Sequence, residues 1–330
     1  MPDACRAKVR SGFAITTCEN KSLKHGERIR RIATRFKGGM QAIPPSILPR
    51  IMLMIAPMRR VLPVDRTDGD WPEFDNANPA DTGPRRIYAI GDIHGYDDLL
   101  KAMQQAIAAD LEQYPTEQAL IIYLGDVIDR GPNSLDVIDM IIDHKANPPA
   151  NTQVMCLRGN HDDWLIAFVD DASIVSPWAL KGGLETLASY GLSKDDVLAA
   201  VADPDIAEAL RQQFLSALPE RHKNFMLSLP LSHSDGDYFF VHAGVDPDRP
   251  LADQRREDLT WIRDKFLFSR KNFGKVVVHG HSHRDAVESF PNRINVDTGA
   301  YVQQVLSCVI LEGRERYVLQ VGTITQQESQ

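Results

Sequence analysis

The sequence predicts an α/β fold of four layers, α/β/β/α: a two-sheet β-sandwich flanked by helices and carrying a helical cap insertion. Three observations predict it. From Arg85 to Asp171, strand-like runs alternate with stretches of helical periodicity, the pattern of a parallel sheet with crossover helices. A more polar helical stretch, about residues 173–222, then interrupts the alternation. After Phe225, strand runs dominate, enough for a second sheet packed on the first with helices outside.

The elements follow in order. "RIYAIGD" reads as a buried strand, and "DDLLKAMQQAIAADLEQY" as a helix with Leu99, Leu100, Met103, Ile107 and Leu111 on one face. "QALIIYLGD" is the next strand, "SLDVIDMIIDHKA" the next helix, "TQVMCLRGN" the third strand and "DDWLIAFVDD" its helix. Beyond the cap come "GDYFFVHAG", the helical "REDLTWIRDKFLF", and then "GKVVVHGHSH", "NRINVDTG", "VLSCVILEG" and "RYVLQVGT". The catalytic domain spans residues 82–330 on this reading.

Residues 1–81 read as a basic, disordered or loosely packed extension, because "AIPPSILP" and "DWPEFDNANPADTGP" are loop signals. Residues 1–60 carry 13 Lys+Arg against 3 Asp+Glu, whereas the rest of the chain carries 24 against 42. The overall charge of −8 therefore divides into a basic leader and an acidic body. An acidic body argues against nucleic-acid binding, which needs a basic footprint. The leader could dock on an anionic surface, or be a presequence, a reading that Asp3, Glu19 and Glu27 weaken; Met52, Met54 and Met58 are alternative starts. No apolar run reaches about 18 residues, so no spanning helix and no integral membrane association is expected. Cys5, Cys18, Cys156 and Cys308 are scattered, without a disulfide or CxxC pattern, which fits the reducing cytoplasm.

Five strand runs end in residues that bind metals: Asp92 and His94 in "GDIHG", Asp126 in "GDVIDRG", Asn160 and His161 in "RGNHD", His242 in "FFVHAG", and His281 with His283 in "HGHSH". Ligands of α/β sheets gather outside the carboxyl ends of strands. Mixed carboxylate, amide and imidazole donors suit Mn, Fe, Zn or Ni better than an all-oxygen calcium site. Their number exceeds what one tetrahedral ion needs and fits two ions sharing a carboxylate. Taken singly, His25, His144, His222, His233 and His279 read as ordinary core or surface histidines, and Asp297 as a turn cap. Trp164, Trp178 and Trp261 read as packing residues, with Trp178 an option for the pocket rim, and Gly182–Gly183 as a loop hinge.

The ordered set of blocks, from Arg86 to Val321, resembles the calcineurin-like metallophosphoesterases, and within them the bacterial phosphoprotein phosphatases. The resemblance implies a phosphoprotein phosphatase acting on Ser/Thr, Tyr or both, by in-line attack of a hydroxide bridging two divalent ions, manganese first among the candidates. Asp92 and His94 would hold one ion, Asn160, His242 and His281 the other, and Asp126 would bridge. His161 would serve the leaving oxygen, oriented by Asp129, while Arg130, Arg158 and Arg263 would bind phosphate. Three departures stand out: Val127–Ile128 replaces the usual tyrosine–valine pair, Asp162 stands where eukaryotic enzymes carry Glu, and His283 where many phosphatases carry Pro. In the wider superfamily that last histidine is a metal ligand, which makes His283 a further candidate. The alternative implied is a symmetrical diadenosine-tetraphosphate hydrolase, suggested by GNHD and "GPNSLDVI", although the complete Asp129–Arg130–Gly131 triplet favours the phosphatase.

Overall fold

The computed structural model describes residues 59–65 and 80–322. His25, Cys5, Cys18, the alternative starts and most of the basic leader lie outside the described residues. The chain alternates β2 (Arg86–Ile90), α1 (Asp97–Gln113), β3 (Ala119–Tyr123), α2 (Ser134–Ala146), β4 (Thr152–Cys156) and α3 (Asn160–Asp170). These three strands are parallel and in step: Ile90 lies opposite Tyr123, and Tyr123 opposite Cys156. Their carboxyl ends therefore open at one level, where Gly91, Gly125 and Arg158 follow.

The first sheet is completed antiparallel by β10 (Val305–Glu312) and β11 (Glu315–Gly322), then by a short edge strand β1 (Arg60–Val61). That edge comes from the stretch that the sequence reads as extension. It is fastened by Arg59, which grips Asp110 through two hydrogen bonds of 2.6 and 2.9 Å and Glu312 at 2.7 Å.

The second sheet holds β5 (Ser232–Asp235), β6 (Tyr238–Val241), β7 (Val276–His279), β8 (Glu288–Ser289) and β9 (Arg293–Asn295), in the order β5-β6-β7-β9-β8. Its three central strands, β6, β7 and β9, are again parallel. The period-2 alternation of strand side chains builds the layers. In β2, Tyr88 and Ile90 face the helices, while Ile87 and Ala89 meet Tyr238, Phe240, Val276, Val278 and Ile294 between the sheets. On the outer face of the second sheet, Phe239, Val241 and Val277 pack on Leu259, Phe266 and Leu267. The sandwich expected from the sequence is the fold observed.

The cap comprises α4 (Val175–Trp178), α5 (Leu184–Ser189), α6 (Lys194–Ala200), α7 (Pro204–Ala217) and α8 (Glu220–Leu227), so helices run five residues past the expected end at 222. Asp203 starts α7 by accepting hydrogen bonds from the backbone of Asp205 and Ile206, with Pro204 at the first helical position. "REDLTWIRDKFLF" forms two short helices, α9 (Arg256–Trp261) and α10 (Asp264–Leu267), parted where Arg263 leaves helical geometry at φ −131°, ψ −106°. A final short helix, α11 (Ala300–Gln303), precedes β10. Among the described residues, no helix is long and apolar enough to cross a membrane.

Candidate metal centre

Both sheets contribute to one level. The turns after β2 and β3 carry Asp92 with His94 and Asp126 with Asp129 and Arg130, the first turn of α3, after β4, carries Asn160 with His161, and the turns after β6 and β7 carry His242 and His281. Five of these residues are bent into the left-handed backbone region: His94 (φ 51°), Asp126 (51°), Asp129 (73°), Arg130 (69°) and His281 (65°). Non-glycine residues adopt it at a cost that surrounding structure must sustain, and such residues cluster at functional sites. Gly280 is required by close approach, since a Cβ there would collide with the Asp92 carboxylate.

Asp126 is the hub. Its Oδ2 lies 3.6 Å from His94 Nε2 and its Oδ1 3.4 Å from His242 Nε2, while Oδ1 also accepts the His161 backbone N–H at 2.9 Å. The ligand atoms of His94, Asp126 and His161 form one compact group, and those of Asp126, His242 and His281 a second. Asn160 Oδ1 lies 3.0 Å from His242 Nε2. Asp92 stands 3.9 Å from His94 Nε2 and accepts the His281 backbone N–H at 3.1 Å.

Protonation suits cations. Burial holds the His94 and His242 imidazoles below their ordinary range, and burial with the neighbouring His242 pushes His281 down to about 2. Burial opposes ionisation of Asp126, but the imidazoles of His242, His161, His94 and His281 outweigh it and keep the carboxylate below its usual range. An ionised carboxylate among imidazoles that shed their protons readily is what a divalent ion requires. Asp92 is pushed upward by burial and by the charges of Asp297 and Asp126, and Asp297 to about 6, chiefly by burial. The donor set fits metal on a further observation: His281 Nε2 is buried beside Asp126 with no hydrogen-bond partner among the described residues. An unpaired buried acceptor is costly unless something binds it.

The remaining candidates divide. His161 Nδ1 meets Asp129 Oδ2 at 2.6 Å. Burial lowers the His161 pKa, yet Asp126 and Asp129 prevail and raise it. Arg130 reaches His94 Nε2 at 2.9 Å and His161 Nε2 at 3.0 Å, with its guanidinium 4.0 Å over the Tyr301 ring. An ion on His94 Nε2 and this Arg130 contact use the same lone pair and exclude each other. Arg263 is exposed, 3.4 Å from Ser282 Oγ, and its charge bears on His242 and His281. Arg158 is turned elsewhere, to the Leu227 carbonyl at 3.0 Å and Asp163 at 3.8 Å. His283 is exposed against the Tyr301 ring and joins neither ligand group. His279 is buried against Phe266, as a core histidine.

Several residues gain a place at the site that sequence reasoning did not give them. Asp162 accepts the backbone N–H groups of Gly159, Asp126 and Val127 at 2.8–3.1 Å, tying the second turn to the third. Asp297 joins the acidic group through Asp92. Trp178, instead of rimming a pocket, is fully buried and donates to Asp129, as does Thr186. The only sequence signal for Asp297 was its strand-end position in "NVDTG"; Trp178 had only its place near "KGGLETL", and Thr186 had none.

Comparison with known proteins places this geometry. A sequence profile of the calcineurin-like phosphoesterases matches residues 85–302. Symmetrical bis(5'-nucleosyl)-tetraphosphatase of Dechloromonas aromatica is 32% identical over 161 residues, 48% of this chain and 44% of its own length. Serine/threonine-protein phosphatase 2 of Escherichia coli is 27% identical over 224 residues, 66% of this chain and 88% of its own length. The chain thus spans less than half the length of the tetraphosphatase it matches. A crystal structure provisionally assigned as a diadenosine tetraphosphatase shares the fold, with TM-score 0.50 at 18% identity over 74% of this chain and 99% of that one.

Proposed function

The chain belongs to the calcineurin-like phosphoesterases, and on that premise we propose that it hydrolyses phosphomonoesters on proteins, at Ser/Thr, Tyr or both, with two divalent ions, manganese first among Mn, Fe, Zn and Ni. The observation that carries the phosphoprotein reading is the match across 88% of the E. coli serine/threonine phosphatase. Asp92 and His94 would hold one ion, and Asn160, His242 and His281 the other, with Asp126 shared. When bound, such a pair supplies a water acidic enough to attack at neutral pH and neutralises phosphate charge.

The chain's own groups do the rest. Arg130, released from His94 and from His161 Nε2, and Arg263 take phosphate oxygens, for which a planar guanidinium is suited. His161, charged and fixed through Nδ1 by Asp129, gives the Nε2 proton to the leaving oxygen as the P–O bond breaks. Arg158 contributes by holding the cap at Leu227. No thiol is called on, and Cys156 and Cys308 are buried. We also place the protein in the cytoplasm, from its scattered cysteines.

The match to the tetraphosphatase supports a second reading, symmetrical cleavage of dinucleoside tetraphosphates. Protein stripped with chelator and reloaded with Mn, Fe, Zn or Ni, assayed side by side on phosphoserine, phosphothreonine and phosphotyrosine peptides and on diadenosine tetraphosphate, decides. Higher kcat/KM on a phosphopeptide is expected. Preference for the dinucleotide by tenfold or more overturns the phosphoprotein reading in favour of the second.

A further inference from the structure

The cap reaches the reacting groups through one short segment. After α4 the chain makes a single wide helical turn, Ala179–Gly183, and enters α5 at Leu184. Before the turn, the indole Nε1–H of Trp178 donates to both Asp129 oxygens, at 3.0 and 2.8 Å. After it, Thr186 Oγ1 donates to Asp129 Oδ1 at 2.6 Å and lies 2.9 Å from the Asp129 backbone nitrogen. Within the turn, the Gly182 carbonyl accepts the Arg130 N–H at 3.1 Å. Gly182 sits at φ 115°, and a Cβ there would press on Arg130. Trp178 and Thr186 are both wholly buried.

The Asp129 carboxylate therefore receives three donors, two from the cap and the third His161 Nδ1. A carboxylate bound by one imidazole can swivel; one bound from three sides cannot, and the imidazole it holds is fixed with it. We propose that Trp178 and Thr186 are positioning residues, through which the cap sets the Asp129–His161 pair for proton delivery to the leaving group. This rests on the reading of His161 as the proton donor. In that step the oxygen of the attacking water bonds to phosphorus as the ester P–O bond breaks, the bonding pair moves onto the ester oxygen and the Nε2 proton bonds to it. The products are a neutral alcohol and inorganic phosphate, His161 is left neutral, and the proton shed by the attacking water, passed through solvent, restores its charge.

The competing possibility is packing alone, because Trp178 also lies against Phe168 and Phe214. Leaving-group dependence separates the two, since a misplaced proton donor matters most when the departing oxygen is basic. Wild type, His161→Asn, Trp178→Phe, Thr186→Val and Thr186→Ser are compared on 4-nitrophenyl phosphate, phenyl phosphate and a phosphoserine peptide, with metal content and melting temperature measured for each. Thr186→Val is the milder of the two deletions, being close to isosteric, and Thr186→Ser restores the hydroxyl. The expected result is that Trp178→Phe and Thr186→Val lose about 10–100-fold in kcat on the phosphoserine peptide, several times less on 4-nitrophenyl phosphate, and that Thr186→Ser regains most of the loss. Equal losses on all three substrates, or no rescue by serine, overturn the positioning role while His161→Asn still shows the steep dependence. If His161→Asn itself loses equally on all three, the proton-donor reading falls, and this inference with it.

Discussion

Asp126 touches more of the candidate centre than any other side chain, being within 3.6 Å of two imidazoles and a hydrogen-bond acceptor for a third residue. Asp126→Asn keeps the shape and removes the charge that both ligand groups share. It is expected to lose bound metal and roughly a thousandfold in kcat/KM, since several kcal/mol of charge stabilisation vanish; metal analysis with steady-state kinetics checks this. At this scale, legibility depended on position. Asp92, His94, Asp126, Asn160, His242 and His281 stood out because each follows a strand run with a glycine within two residues. Trp178 and Thr186 lie 49 and 57 residues from the carboxylate they bind; no local pattern marks a donor at that separation, so an aromatic among helices read as packing. Arg158 was misleading for the converse reason, since its motif places the backbone correctly while Leu227 and Asp163 claim the guanidinium.

Among the elements, the long periodic helices were the most legible: α2 occupies the very residues read as "SLDVIDMIIDHKA". The short ones were not, because α9 and α10 are parted where Ile262 and Arg263 leave helical geometry, and "REDLTWIRDKFLF" holds no Gly or Pro to mark the break. Likewise β1 has two exposed residues and no apolar alternation. It exists because Arg59 finds the buried Asp110, with its guanidinium 4.2 Å over the Tyr114 ring. Helix α2 also carries a pH dependence. His144 Nδ1 meets the Tyr123 hydroxyl at 2.7 Å, and burial lowers its pKa below the ordinary 6.5. The unfolded chain therefore binds that proton more readily than the native one. Stability is complete above about pH 6.5 and falls as pH drops toward the lowered native value, by at most about 1.4 kcal/mol per pH unit for one proton. In urea titrations between about pH 5 and 7.5, His144→Gln should show a flatter stability profile than wild type.

For the whole molecule, the two sheets were legible as layers because strand runs fall on both sides of a helical insertion. That their ligand-bearing ends would meet was suggested by metal-binding residues recurring at strand ends, and which residues share an ion was implied by family resemblance, since strand order is not written in any single segment. The meeting has an energetic result. Asp92 and Asp297, from different sheets, oppose each other's ionisation in the buried acidic group, and cations bound to the native state alone would stabilise it by mass action, about 2.7 kcal/mol at a hundred times the dissociation constant. Removing metal with chelator should lower the melting temperature, reloading should restore it, and calorimetry on both forms tests this.

The left-handed bends at His94, Asp126, Asp129, Arg130 and His281 carry one more implication. Each is a bend that a chain released from its neighbours would relax, so the convergence of the ligand-bearing side chains is maintained by the packing of both sheets and not by local sequence preference.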